Sequence, residues 1–322
     1  MKIVIVRADG IGDALACVPL VAALRDAGHE LGIVLSERNR QIFAARAFAR
    51  THVLERIPWP RHGSTPASRR TALAGARAAG YDVALVASEE PEAYRFAADA
   101  RIATRVGFVN GWEKPFKTFA LGRTLTRAIV RTASALRATE HEVETLFRLG
   151  AAFARETAPT HDAARLRELV LDDAPAPQRY VALQASEKLA ASGLDRTVYA
   201  ELARALGARG HLVRVYGDDG AFVRGIAADA GIDGFAGLSV SGWKSHLAAA
   251  RAIVTPDSGA AHVAGMLGVP CVDCFAPSAS TANDIVRWRP WAAPYRAIVL
   301  DPARDRGATA RVLADALDEL GN

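Results

Sequence analysis

Three stretches of the chain place charged, hydroxyl and glycine residues directly after an apolar run, where a strand end would hold reactive groups in an α/β protein. The first is Arg7-Ala8-Asp9-Gly10-Ile11-Gly12-Asp13, behind the run Lys2–Val6. Gly10 and Gly12 permit a tight turn and let a ligand approach the backbone, which makes Gly12 a candidate ligand contact. Asp13 has two readings. It can cap the following helix, or it can accept a proton from an attacking hydroxyl if its surroundings tune it as a general base. The second stretch is Thr255-Pro256-Asp257-Ser258-Gly259-Ala260-Ala261-His262. Asp257 and Ser258 are candidate caps, and Gly259 leaves backbone N–H groups open. Such a helix start binds anions and suits the diphosphate of a nucleotide. His262, one turn in, can face either that anion or the core. The third stretch, Gln184-Ala185-Ser186-Glu187-Lys188, offers Lys188 as a cation for a leaving phosphate; an exposed lysine can equally be a solubilising charge.

The first loop can also be compared with a dinucleotide fingerprint. Gly10 and Gly12 fit, and Glu37 after the second strand suits a ribose. Leu15 nevertheless occupies the third glycine position, and Asp13 would set a carboxylate where a pyrophosphate belongs. A nicotinamide-dependent oxidoreductase is therefore the weaker enzymatic reading. A non-catalytic protein that binds a sugar nucleotide or lipopolysaccharide on the same scaffold is a third.

The elements that must position these loops alternate between short apolar strands and longer amphipathic helices, which indicates parallel sheets covered by helices. In the first half the strands are expected at Lys2–Val6, Leu31–Leu35, His52–Ile57, Asp82–Ala87 and Arg105–Phe108. Helices are expected at Asp13–Ala27, Ala67–Ala79 and Glu140–Arg155, with a pause over a long basic segment. Residues 172–178, with two prolines among small and acidic residues, read as a linker. The alternation then restarts: strands at Tyr180–Gln184, Leu212–Tyr216, Ala252–Thr255, Val269–Phe275 and Ala297–Leu300. Helices lie at Asp195–Arg209, Gly220–Ala230, Gly242–Ala250, Ser258–Leu267 and Ala308–Leu320. The expectation is an α/β protein of two Rossmann-like lobes, 1–171 and 179–322, facing a cleft, with the last helix free to pack back on the first lobe.

The 322 residues suffice for two cores; 50% are hydrophobic and 23% charged, an ordinary globular balance. The net charge of +5 suits an anionic partner, although a basic composition alone names none. The three cysteines, Cys17, Cys271 and Cys274, cannot make a disulfide framework, and the CxxC lies in an apolar run with no second pair beside it. A metal site is not expected, and a reducing, cytoplasmic setting fits. The apolar stretch after Met1 is too short for a signal peptide, and no uncharged run has the roughly 18 residues needed to span a bilayer. Any membrane contact is therefore peripheral.

Between Arg101 and Arg131 seven basic residues stand against Glu113 alone, interleaved with Phe108, Trp112, Phe116 and Phe119. A second basic stretch runs from Arg50 to Arg77. Basic groups beside apolar anchors suit an anionic amphiphile at a membrane surface. A solvated face with aromatics in the core is the alternative. Single-stranded nucleic acid would use similar chemistry, but no nucleic-acid module occurs in the sequence and none is expected as a partner.

Taken together, Val6–Asp13 continuing through Pro19 to Leu24, Tyr81–Val86, Thr104–Phe108, and above all Asp257–Ala264 with Gly268-Val269-Pro270 and Phe275-Ala276-Pro277 resemble one family. Arg287-Trp288-Arg289-Pro290-Trp291 is similar to the end of its pattern. It is the glycosyltransferase family of the ADP-heptose:lipopolysaccharide heptosyltransferases. Ala276 stands where the family commonly has Gly, and Leu189-Ala190-Ala191 replaces the Trp-Pro that often follows the lysine. The resemblance implies a GT-B fold and an inverting transfer with neither metal nor cofactor, the donor being an ADP-linked sugar. It carries the catalytic base onto Asp13 and donor contacts onto Lys188, Ser258, Gly259 and His262, with Asp257 shaping the loop. The acceptor it implies is an anionic lipopolysaccharide core or related glycolipid at the cytoplasmic face of the inner membrane. Arg61, Arg69 and Arg123 of the basic stretches are the candidates to meet it.

Overall fold

A computed structural model describes residues 1–57, 63–132 and 139–320. The chain divides into two compact units, one of Met1–His161 with Glu168–Asp172, the other of Asp162–Arg167 with Asp173–Asn322.

The first unit holds six parallel strands: β1 (Lys2–Val6), β2 (Glu30–Ser36), β3 (Arg50–Leu54), β4 (Val83–Val86), β5 (Thr104–Val109) and β6 (Arg127–Val130). Their order across the sheet is β3-β2-β1-β4-β5-β6. The central β1 pairs Ile5 with Ile33 on one side and Leu85 on the other. Its last four residues are buried, as expected for a parallel strand covered on both faces and written as a continuous apolar run. The helices are α1 (Ile11–Leu15), α2 (Val18–Asp26), α3 (Pro66–Ala79), α4 (Pro91–Asp99), α5 (Pro115–Gly122), α6 (Glu142–Gly150) and α7 (Ala163–Val170), the last shared between the units. Helix α3 shows the local logic. Thr65 caps it by accepting the Ser68 N–H, Pro66 occupies the first turn where no N–H is needed, and Gly80 stops it at φ 65°.

The second unit repeats the plan with β7 (Tyr180–Gln184), β8 (Leu212–Gly217), β9 (Asp233–Ala236), β10 (Ala252–Pro256), β11 (Cys271–Phe275) and β12 (Tyr295–Val299). The sheet order is β12-β11-β10-β7-β8-β9, the same arrangement as in the first unit. Its helices are α8 (Arg196–Ala208), α9 (Gly220–Ala230), α10 (Val240–Ala249), α11 (Gly259–Leu267), α12 (Thr281–Trp288) and α13 (Arg306–Leu320). The last helix packs on α8, and its Leu313, Ala314 and Leu317 belong to the second unit's core.

Several elements differ from the sequence expectation for physical reasons. The helix expected over Asp13–Ala27 begins earlier, at Ile11, and breaks at Ala16-Cys17, because Pro19 can only sit in the first turn of a new helix. Strands β6 and β9 were not expected. Both are edge strands with mostly exposed residues, so neither carries the apolar run that marks a central strand. Helices α4, α5, α7 and α12, of eight or nine residues each, were not expected either.

Candidate active site

In each sheet the strand order reverses between two neighbours, β1 and β4 in the first, β7 and β10 in the second. Ligands of open α/β sheets bind outside the carboxyl ends of the strands at such switch points. All three sequence-selected loops leave strands at these points.

At the first, Asp13 is the third residue of α1, not its cap; Gly10 holds the cap position. The Gly10 N–H donates to Asp13 Oδ2 at 3.2 Å, and Arg7 Nη2 donates to Asp13 Oδ1 at 2.6 Å. Gly12, in the same helix, accepts the Ala16 N–H on its carbonyl. Arg7 is fully buried at the end of β1. Its guanidinium also donates to the Asp13 and Ala87 carbonyls and lies 3.6 Å from Asp9 and 3.9 Å from Glu142. Burial alone would lower the Arg7 pKa, but Asp13, Asp9 and Glu142 outweigh it and hold the group charged. Asp9 accepts the Ser88 hydroxyl at 2.7 Å, and burial raises its pKa despite Arg7. Glu142, buried in α6, forms a bidentate pair with Arg131 at 3.1 Å through both oxygens. Arg131 reaches Glu89 at 3.0 Å, and Glu89 pairs with Lys117 at 3.0 Å. A continuous ionic network thus runs from Asp13 to α5, and within it the Asp13 carboxylate keeps 35% of its surface in solvent. Fixed on both oxygens yet accessible, it is placed to take a proton from a hydroxyl.

At the second switch point Ser258 caps α11, its Oγ accepting the Ala260 N–H at 3.4 Å and lying 3.1 Å from Thr255 Oγ1. Asp257 anchors the loop by donating its N–H to the Cys274 carbonyl at 2.8 Å. Lys188, in the turn after β7, donates to the Asp257 carbonyl, and its Nζ lies 3.8 Å from the Asp257 carboxylate. The ammonium therefore stands at the start of α11 while its side chain stays 55% exposed. Gly259 opens the helix. His262 is buried one turn in and meets Trp288 edge-on at 5.6 Å. Helix α11 is pressed onto the chain behind it: a Cβ at Gly265 would stand 2.5 Å from the Trp291 nitrogen. Ammonium, hydroxyl and the Gly259 N–H together favour an anion. Beside them, at the ends of β7 and β8, Trp243 Nε1 donates to Gln184 Oε1 at 2.8 Å. Tyr216 stacks on Phe235 at 5.2 Å.

Asp273, in β11, was missed in the sequence because it sits inside the apolar run. It is completely buried, and neither carboxyl oxygen has a hydrogen-bond partner. Burial, reinforced by Asp257 and opposed by Lys188, raises its pKa well above the usual carboxyl range and so favours its neutral form. Arg7, the partner of Asp13, and Ser88, Glu142 and Arg131, which extend the network around it, were also missed. Arg7 stood in the quoted loop between a buried strand and Asp9, which was the available signal.

The basic candidates behave differently. Arg69 pairs with Asp99 and lies 4.0 Å from Glu92. Arg123 lies over the Phe119 ring at 5.2 Å. The described contacts tie neither to Asp13. Arg61 lies outside the described residues. Among the described residues no cluster of three or more His, Cys, Asp or Glu side chains could hold a metal ion, and no helix is long and apolar enough to cross a membrane.

The model of glycosyltransferase family 9 (heptosyltransferase) matches residues 74–311. The chain belongs to glycosyltransferase family 9. It is a glycosyltransferase with the fold of the family's heptosyltransferases. E. coli heptosyltransferase WaaC with ADP superposes at TM-score 0.77 with 18% identity, covering 99% of each chain. The same enzyme with ADP-2-deoxy-2-fluoro heptose gives 0.75 at 18% identity and the same coverage. E. coli ADP-heptose lps heptosyltransferase II gives 0.69 at 19% identity, covering 99% of this chain and 98% of that one. No curated protein sequence matches the chain significantly.

Proposed function

We infer that this family 9 enzyme transfers heptose from an ADP-linked donor, with inversion and without a metal ion, onto a lipopolysaccharide core or related anionic glycolipid. The observation that carries the reading is Asp13, a solvent-reachable carboxylate aimed by a buried arginine at the first switch point. In this account the second unit holds the donor. Its diphosphate lies on the Gly259 N–H and the Ser258 hydroxyl, with Lys188 beside it. The structural likeness to WaaC, solved with ADP and with a fluorinated ADP-heptose, supports a nucleotide sugar as the ligand.

The acceptor hydroxyl attacks the anomeric carbon, and its proton passes to Asp13. As the new C–O bond forms, the bond from the anomeric carbon to the diphosphate oxygen breaks, and ADP leaves with the electron pair. Lys188 and the α11 N-terminus stabilise the charge that grows on the departing diphosphate, where a metal would otherwise be needed. Arg7 has no part in proton transfer; it positions Asp13. Lys2–Val6 and Ala252–Pro256 serve as the rigid supports that aim these groups.

The test is release of ADP from ADP-heptose with a lipopolysaccharide-core acceptor. Transfer that persists in excess chelator and is lost in Asp13→Asn supports the reading. Full activity in that variant, or an absolute need for added metal, contradicts it.

A further inference from the structure

Four large apolar side chains crowd one short stretch of the first unit's surface. Trp112 is 95% exposed, Phe116 90%, Phe119 68% and Val130 63%, and these make half of the eight large hydrophobics exposed among the described residues. The others, Met1, Leu212, Leu238 and Val299, are scattered singly, as is ordinary for a protein surface. Trp112 lies in the turn Gly111–Glu113 and the two phenylalanines in α5, a helix of eight residues that buries only Leu121. Val130 borders the turn, its Cγ1 3.4 Å from where a Gly111 Cβ would stand. A contiguous apolar patch of this kind marks an interaction surface.

Cations outnumber carboxylates around it, where Glu113 accepts from the Thr132 hydroxyl. Lys114, Arg123 and Arg127 are exposed, and among the described contacts none has a carboxylate partner. Lys117 turns the other way, to Glu89. Helix α5 therefore shows aromatic rings and unmatched cations outward and anchors itself inward through an ion pair. Aromatic anchors ringed by cations complement one partner closely: hydrocarbon beneath an anionic headgroup layer.

We propose that the turn Gly111–Glu113 and helix α5 dock the protein on an anionic lipid bilayer, with Trp112, Phe116 and Phe119 entering the interface and Lys114, Arg123 and Arg127 meeting headgroups. Its use, resting on the reading of a lipid-linked acceptor, follows from position. Strands β1, β4 and β5 run parallel, and Asp13, Glu89 and Trp112 all follow their carboxyl ends, on one edge of the sheet. A bilayer held at α5 presents its glycolipids on the edge where Asp13 stands.

The experiment is co-sedimentation of the whole protein with vesicles of phosphatidylcholine, with or without phosphatidylglycerol, in the absence of donor and acceptor. The expected result is binding to the anionic vesicles only, weakened by salt, and at least about tenfold weaker in the double variant Trp112→Ser/Phe116→Ser. That variant is expected to keep its melting temperature and its transfer to a water-soluble acceptor glycan, which separates lost docking from lost folding. Equal sedimentation of parent and variant, or none from either, overturns the proposal. So does a soluble glycan that quenches Trp112 fluorescence without vesicle binding, or a dimer that the double variant dissociates. Because no sugar moves in the vesicle assay, failure of the transfer reading leaves its outcome intact.

Discussion

At the first switch point a guanidinium is buried and the carboxylate paired with it reaches solvent; at the second a carboxyl is buried and an ammonium reaches solvent. Arg7 is 3% exposed beside Asp13 at 35%, whereas Asp273 is fully buried and Lys188 is 55% exposed. The two sheets share one strand order, so topology alone does not explain the contrast. In the first unit the buried charge is answered by Asp9, Asp13 and Glu142, and the group left accessible is negative and rigidly aimed. In the second, burial favours the neutral form of the acid, and the accessible groups are an ammonium, a hydroxyl and the N–H at the helix start. The same scaffold thus leaves an accessible carboxylate at one strand end and an accessible ammonium and hydroxyl at the other, over a buried guanidinium in the first case and a buried carboxyl in the second.

The largest expected effect comes from removing the accessible carboxylate. Asp13→Asn is expected to lower kcat about a thousandfold, within the usual range for a general base, while ADP binding measured by calorimetry stays within about twofold. Next is the buried half of the same pair. Arg7→Ala leaves three carboxylates without their shared cation, and breaking such a buried arrangement costs roughly 3–5 kcal/mol. A thermal melt is expected to fall by about 10 °C, at roughly 2–4 °C per kcal/mol. Arg7→Lys keeps the charge but not the fork that reaches Asp13, and should melt closer to the parent while turning over more slowly.

These two changes also show what could be read from the sequence. The central strands were legible because β1, β2, β7, β10 and β11 are buried on both faces and spell continuous apolar runs. Edge strands β6 and β9 have no such run. Asp13, Asp257, Ser258 and Lys188 were legible as polar residues after strands. Their partners were not. Glu142 joins Arg7 from a helix late in the first unit, and Asp273 interrupts an apolar run without changing its apparent period. Ion pairs between distant segments leave no local pattern, so Asp13 could be singled out in the sequence but not the residues that fix it.

In the second unit smaller effects are expected. Lys188→Ala removes a charge-assisted contact from an exposed position and should weaken ADP binding about tenfold, roughly 1.4 kcal/mol, with no loss of melting temperature. Asp273→Asn should give a stability change that depends on pH, small near pH 4 and growing above it. Below about pH 4 the folded and unfolded parent both hold the Asp273 proton. As pH rises, the unfolded chain releases it and the folded chain, whose pKa is raised by burial, does not, so the parent loses stability. The variant has no proton to release. Its melting temperature relative to the parent should therefore climb as pH rises above about 4, and a difference that stays flat contradicts a raised Asp273 pKa.

The contrast between the two strand ends is tested most directly by calorimetric titration of ADP, without added metal, into the parent, Asp13→Asn and Lys188→Ala, with turnover measured on the same preparations. The account predicts that Asp13→Asn binds ADP like the parent and does not turn over, while Lys188→Ala binds it about tenfold more weakly. Loss of ADP binding in Asp13→Asn, or unchanged binding in Lys188→Ala, would contradict the assignment of base and donor cradle to separate units.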